Sequence, residues 1–196
     1  MRILGVDPGS ITTGFGVIDH VAGKIALVEH GSIKTPKGEA LSVRLEIIHR
    51  LLAEIIGRTR PAEVAVETPF AGLNVKSLIQ LAHARGVILL AARTAGLELF
   101  EYSPRSVKSA VVGYGAAEKE QVAKMVRLLI PSLGKSVITS DAADALAIAI
   151  CHAHSARRLK VIGLRLTLNK NPSPRRSGER AGRGVLRRST SSNFEI

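Results

Sequence analysis

Apolar positions fall in two rhythms along this chain. Ile3, Leu4 and Val6 give a short apolar run over residues 2–7 that closes on Asp7, which predicts a strand. "TGFGVIDH" (Thr13 to His20) and "KIALVEHGSI" (Lys24 to Ile33) predict two more strands. Their short, glycine-bearing joins make the three a hairpin meander. The period then lengthens. Leu41, Leu45, Ile48, Leu52 and Ile55 recur at three- and four-residue steps, the pattern of an amphipathic helix. "EVAVE" (Glu63 to Glu67) is strand again, and again ends on a carboxylate. Val75 to Ala95 reads as a mostly apolar helix and "LELFEYS" (Leu97 to Ser103) as a strand. Helices follow over Pro104 to Val112 and Glu118 to Leu129, the second stopped by Pro131. "SDAADALAIAICHAHSARR" is the last helix. Hairpin strands first, then strands alternating with helices, predict an α/β fold: a mixed sheet covered on both faces.

Composition adds a boundary. The chain has 196 residues and a net charge of +12, enough length for one substantial core. Residues 157–196 carry 11 Lys/Arg against 2 Asp/Glu, and the preceding residues only 17 against 14. The basic excess therefore belongs to the end of the chain, where "NKNPSPRRSGERAGRGVLRRSTSSNFEI" lacks apolar periodicity. We expect a folded body over residues 1–160 and a basic, disordered tail over 161–196, either idle or attracting phosphate non-specifically. One cysteine, Cys151, excludes an internal disulfide framework and a Cys-type zinc site. The first apolar run stops at Asp7, so no signal peptide is expected. Wholly apolar runs such as Val87 to Ala92 are too short to span a bilayer. A cytoplasmic protein is expected.

Four acids stand against apolar sequence. Asp7 and Glu67 end strands, where α/β sheets gather their sites if the two strands are parallel neighbours. Turn chemistry explains the Pro-Gly after Asp7 equally well. Asp141 and Asp144 share one face in the first turns of an Ala/Leu/Ile helix. With Ser140 or Thr139 as N-cap, Asp141 is an ordinary first-turn acid. If the helix start is exposed, both acids are simply solvated. If it is buried, they repel unless a cation lies between them, and no Lys or Arg is near in sequence. An all-carboxylate set favours Mg²⁺, or Mn²⁺ as its substitute. Two such ions about 3.5–4 Å apart form a clamp for phosphodiester hydrolysis.

"ILGVDPGSITTGFGV", "VAVETPF", "SPRSVKSAVVGYGAAEKEQVAKMV" and "SDAADALAIAICHAH" together resemble the RuvC family of Holliday junction resolvases, in order and spacing, over about residues 1–156. The resemblance implies a ribonuclease H-like fold, a five-stranded mixed sheet flanked by helices. It implies a homodimeric endonuclease that nicks two opposing strands of a four-way DNA junction in recombination and repair, alongside RuvA and RuvB branch-migration proteins. Asp7, Glu67, Asp141 and Asp144 would be the catalytic, metal-binding carboxylates, with two ions per site. Phe70 matches an aromatic that stacks on a junction base; otherwise it is a core residue. Lys108 and Lys119 match cations beside the scissile phosphate; otherwise they are solvated. Arg105 and Arg44 are backbone-contact candidates. Gly113 and Gly115 flank a turn that either lets DNA approach or merely ends a helix. His152 is read as structural rather than a ligand.

Three other readings compete. "GVDPGSITTG" also suits the phosphate loop of an actin-like ATPase or sugar kinase, although no second glycine-rich phosphate turn follows. A non-catalytic junction-binding protein would not aim four acids at phosphates. A ribonuclease H-like enzyme acting on RNA shares the same chemistry.

Overall fold

The computed structural model describes residues 1–69, 74–134 and 136–161. Phe70 and the basic tail lie outside the described residues. Chain order is β1 (Arg2–Asp7), β2 (Thr12–Val21), β3 (Lys24–Lys34), α1 (Leu41–Thr59), β4 (Glu63–Glu67), α2 (Val75–Thr94), β5 (Glu98–Tyr102), α3 (Pro104–Val112), α4 (Lys119–Leu129) and α5 (Ser140–Val161). A single 3-10 turn, Pro131–Leu133, joins α4 to α5. The five strands form one sheet in the order β3-β2-β1-β4-β5. β1, β2 and β3 run antiparallel as the expected meander, and β1–β4 and β4–β5 are parallel. Asp7 and Glu67 therefore end adjacent parallel strands.

Strand alternation divides the core. Leu4, Val6, Phe15, Val17, Val64 and Val66 point to one face and pack under α1 and α2. Ile3, Ile18 and Ala65 point to the other and pack under α3, α4 and α5. Asp7 follows Ile3 and Gly5 at two-residue steps, and Glu67 follows Glu63 and Ala65. Both acids thus leave the sheet on the α5 face.

α5 lies unusually close to the strands. A Cβ on Gly5 would stand 2.1 Å from the Ala145 carbonyl oxygen, and one on Gly14 2.0 Å from that of Asp141. One on Gly16 would strike the Leu146 side chain at 2.6 Å. These three glycines form a flat seat in β1 and β2 on which helix backbone rests directly.

α2 has the length and apolar composition of a membrane span. It nevertheless packs with α1 as a layer of this fold. Its other side leaves Val75, Ile79 and Leu90 exposed.

Candidate active site

Asp7 opens a tightly tied turn. Thr13 donates its hydroxyl to the Gly9 carbonyl at 2.7 Å, and Thr35 donates to that of Ser10 at 2.9 Å. Arg44 reaches the same Ser10 carbonyl at 3.3 Å. These bonds satisfy partly buried turn carbonyls that would otherwise lack a partner, and they fix the exit direction of the chain after Asp7.

α5 brings the remaining acids. Thr139 is its N-cap: the hydroxyl accepts from the Ala142 amide at 3.3 Å. Asp141 and Asp144 follow in the first two turns, both half-buried. About two turns further along the helix, His152 is 2% exposed. Its Nε2 lies 2.5 Å from the Glu63 carboxylate and its Nδ1 2.7 Å from the Tyr102 hydroxyl. Phe100 packs on the imidazole with ring centroids 4.4 Å apart. Asp144 and His152 are separated by about 12 Å of helix, and Glu67 and Glu63 by about 13 Å of strand. The two spans match, so the bond from His152 to the start of β4 sets Asp144 opposite the end of β4.

The acids sense one another. Asp7 is pushed up to about 7, first by burial, then by the charges of Glu67, Asp144 and Asp141, against the opposing pull of Lys119. Glu67 is also pushed up to about 7, by burial and then by Asp144, with Lys119 and Lys108 pulling it down. Lys119 opens α4 and lies 3.2 Å from Asp144 Oδ2; that carboxylate raises its pKa. Glu67, Lys108, Lys119 and Asp144 line one cleft of about 210 Å³. The structure thus brings together six of the residues singled out in the sequence: four acids and two lysines.

The donor set is oxygen-only and strained by its own charge, the chemistry that suits a hard divalent cation. Among the described residues, no three acidic, histidine or cysteine side chains already stand as a closed ligand set. The fit therefore rests on donor chemistry and mutual repulsion, with Lys119 giving Asp144 a partial counter-charge.

The other candidates fall elsewhere. Arg44 is 6% exposed and braces the Asp7 turn from beneath, instead of presenting a guanidinium to the surface. Arg105 is exposed on a different flank of α3 from Lys108. Gly113 ends α3 in the left-handed conformation at φ 101°, as a helix terminator does. The Gly5–Gly14–Gly16 seat shows in the sequence only as glycines spaced by two in "TGFGV", which does not say what lies against them. The partners of His152, Glu63 and Tyr102, are remote from it in sequence, and no local pattern signals them.

A five-stranded sheet in this order, with acids at the ends of two central parallel strands and on a helix laid across them, defines a ribonuclease H-like nuclease. Residues 3–152 match the family of crossover junction endodeoxyribonuclease RuvC. The chain belongs to that family. The protein of that description from Syntrophomonas wolfei is 47% identical over 157 residues, 80% of this chain and 91% of the relative. The one from Chloroflexus aggregans is 46% identical over 166 residues, 84% and 99% of the two chains. Among solved structures, Thermus thermophilus RuvC in complex with a Holliday junction substrate superposes with a TM-score of 0.76 at 38% identity. That match covers 81% of this chain and 96% of the other. The yeast mitochondrial Holliday junction resolvase, 14% identical with a TM-score of 0.62, shares the fold. Family membership sets aside the kinase-like reading of the first turn.

Proposed function

We propose that this protein resolves four-way DNA junctions as an endonuclease, nicking two opposing strands symmetrically. The observation that carries the reading is the convergence of Asp7, Glu67, Asp141 and Asp144 with Lys108 and Lys119 at the strand ends, in a chain of this family. Asp7, Glu67, Asp141 and Asp144 hold Mg²⁺, or Mn²⁺ in its place, as two ions per site. When bound, the ions supply positive charge against the anion developing at phosphorus and acidify the attacking water. Lys119 restrains Asp144 and, with Lys108, meets non-bridging phosphate oxygens as charge builds on them. Phe70, three residues beyond Glu67, stacks on a base next to the cut. Arg44 contributes only through the turn it holds.

Symmetric nicking calls for two sites, hence a homodimer. The stripe Ile79, Ala82, His83, Gly86, Val87 and Leu90 on α2 lines a shallow apolar groove and suits a second copy. The proposal extends to a cytoplasmic protein that acts alongside RuvA and RuvB, as membership of the family implies.

The test is cutting of a mobile four-way junction with Mg²⁺. Wild-type protein gives paired symmetric nicks. Asp7→Asn gives none while still binding the junction. Cutting by Asp7→Asn at the wild-type rate would refute the site.

A further inference from the structure

α3 has a cleft on each flank, and the two share no lining residue. One is the catalytic cleft. The other, about 560 Å³, is lined by Arg105, the hydroxyl residues Ser103, Ser106, Ser109 and Ser155, and parts of Tyr102, Ala110, Gly115 and Cys151. No acid lines it. Among the described residues, Arg105 has neither an ion-pair nor a hydrogen-bond partner. Its guanidinium is nonetheless placed. A Cβ on Gly115 would stand 2.4 Å from Arg105 Cγ and 3.1 Å from its Nε, so the arginine lies along a surface that only glycine leaves free. The second glycine of "GYG" thus seats a side chain, whereas the first ends a helix.

A positioned, uncompensated guanidinium in a cleft walled by serine hydroxyls, of which that of Ser109 has no hydrogen bond among the described residues, with no carboxylate among the described lining, is chemistry for an oxyanion. Resting on the reading of this chain as a junction nuclease, we infer that Arg105 and its serine-lined cleft form a second phosphate subsite, which holds the DNA backbone beyond the cut. The α3 barrel between the clefts is about 10–12 Å across. At a rise of about 3.4 Å per nucleotide, that is about three nucleotides from the scissile phosphate. The subsite fixes the register of the strand without touching the reacting atoms, and Gly115 fixes the subsite.

The experiment binds a four-way junction, in the absence of divalent metal, to the full chain and to Arg105→Ala, Gly115→Ala and the double variant. Thermal melts confirm that each is folded. Arg105→Ala makes the slope of log affinity against log salt shallower by about 0.9, the loss of one phosphate contact. Gly115→Ala displaces the arginine and weakens binding with the charge still present. The double variant binds no more weakly than Arg105→Ala. Single methylphosphonate replacements about three nucleotides from the cut weaken wild-type binding but not that of Arg105→Ala. An unchanged slope, or additive losses in the double variant, overturns the subsite while wild-type nicking keeps the nuclease reading intact. A wild-type protein that neither binds nor nicks the junction overturns both.

Discussion

Asp7 and Glu67 keep their protons to about neutral pH, because burial and neighbouring carboxylates oppose their charge. The sign of the consequence follows from linkage. Asp7 binds its proton more tightly in the folded chain than in the unfolded one. Its contribution is therefore fully present below the unfolded value, about 3.9, and is lost as pH rises through about 7. Asn at this position cannot take up the charge. In metal-free buffer, Asp7→Asn should melt close to wild type at pH 4 and above it at pH 8, with the gap opening in between. Excess Mg²⁺ should narrow the gap at pH 8, since cations favour the charged cluster. A gap that is constant with pH, measured by calorimetry, would show that Asp7 does not carry this strain. Arg44 gives a contrasting lesson. A basic residue offered as a DNA-backbone contact suggests an exposed guanidinium, but its hydrogen bond runs inward to the Ser10 carbonyl.

At the level of elements, α5 is positioned by contact between backbones. The glycine seat sets its height over β1 and β2, and the His152–Glu63 bond sets its position along β4. Gly14→Ala forces a methyl group against the Asp141 carbonyl and must lift the start of α5. Overpacking of this kind costs about 1–3 kcal/mol, and the lift moves Asp141 and Asp144 away from Asp7. We expect a lowered melting temperature and a loss of nicking at temperatures where the variant is folded, with junction affinity largely kept. Full nicking by folded Gly14→Ala would show that the helix height is not critical. Most element boundaries were legible in the sequence for local reasons. Pro104 begins α3 and Gly113 ends it, and the bounds of β4 follow directly from "EVAVE". The four acids were legible because carboxylates interrupt otherwise apolar sequence. The glycine seat was not, because a glycine in a strand says only that something approaches closely, and not what. The pairing of His152 with Glu63 was hidden for a similar reason: it joins elements 89 residues apart.

At the scale of the molecule, α2 carries an apolar stripe that is exposed among the described residues. Ile79 and Leu90 are 51% and 58% exposed on a helix whose opposite side packs in the core. If this stripe joins two copies, Leu90→Glu places a charge at the contact on both sides of a two-fold axis. Light scattering should then report monomers where wild type gives dimers, and paired nicking should fall to uncoordinated single nicks. Dimers that persist in Leu90→Glu would move the contact elsewhere.

The order of assembly follows from the arrangement of the acids. Asp7 lies in β1 and Asp144 more than a hundred residues later in α5, and β1 is central in the sheet. A ribosome has therefore finished most of the body before the cluster can exist. A chain truncated before α5 holds Asp7 and Glu67 without Asp141 or Asp144, and lacks one of the three helices that cover that face of its core. Copies that lack α5 hold only half of the acid cluster on which the proposed cutting depends, so the proposed activity waits for α5 to dock on the sheet.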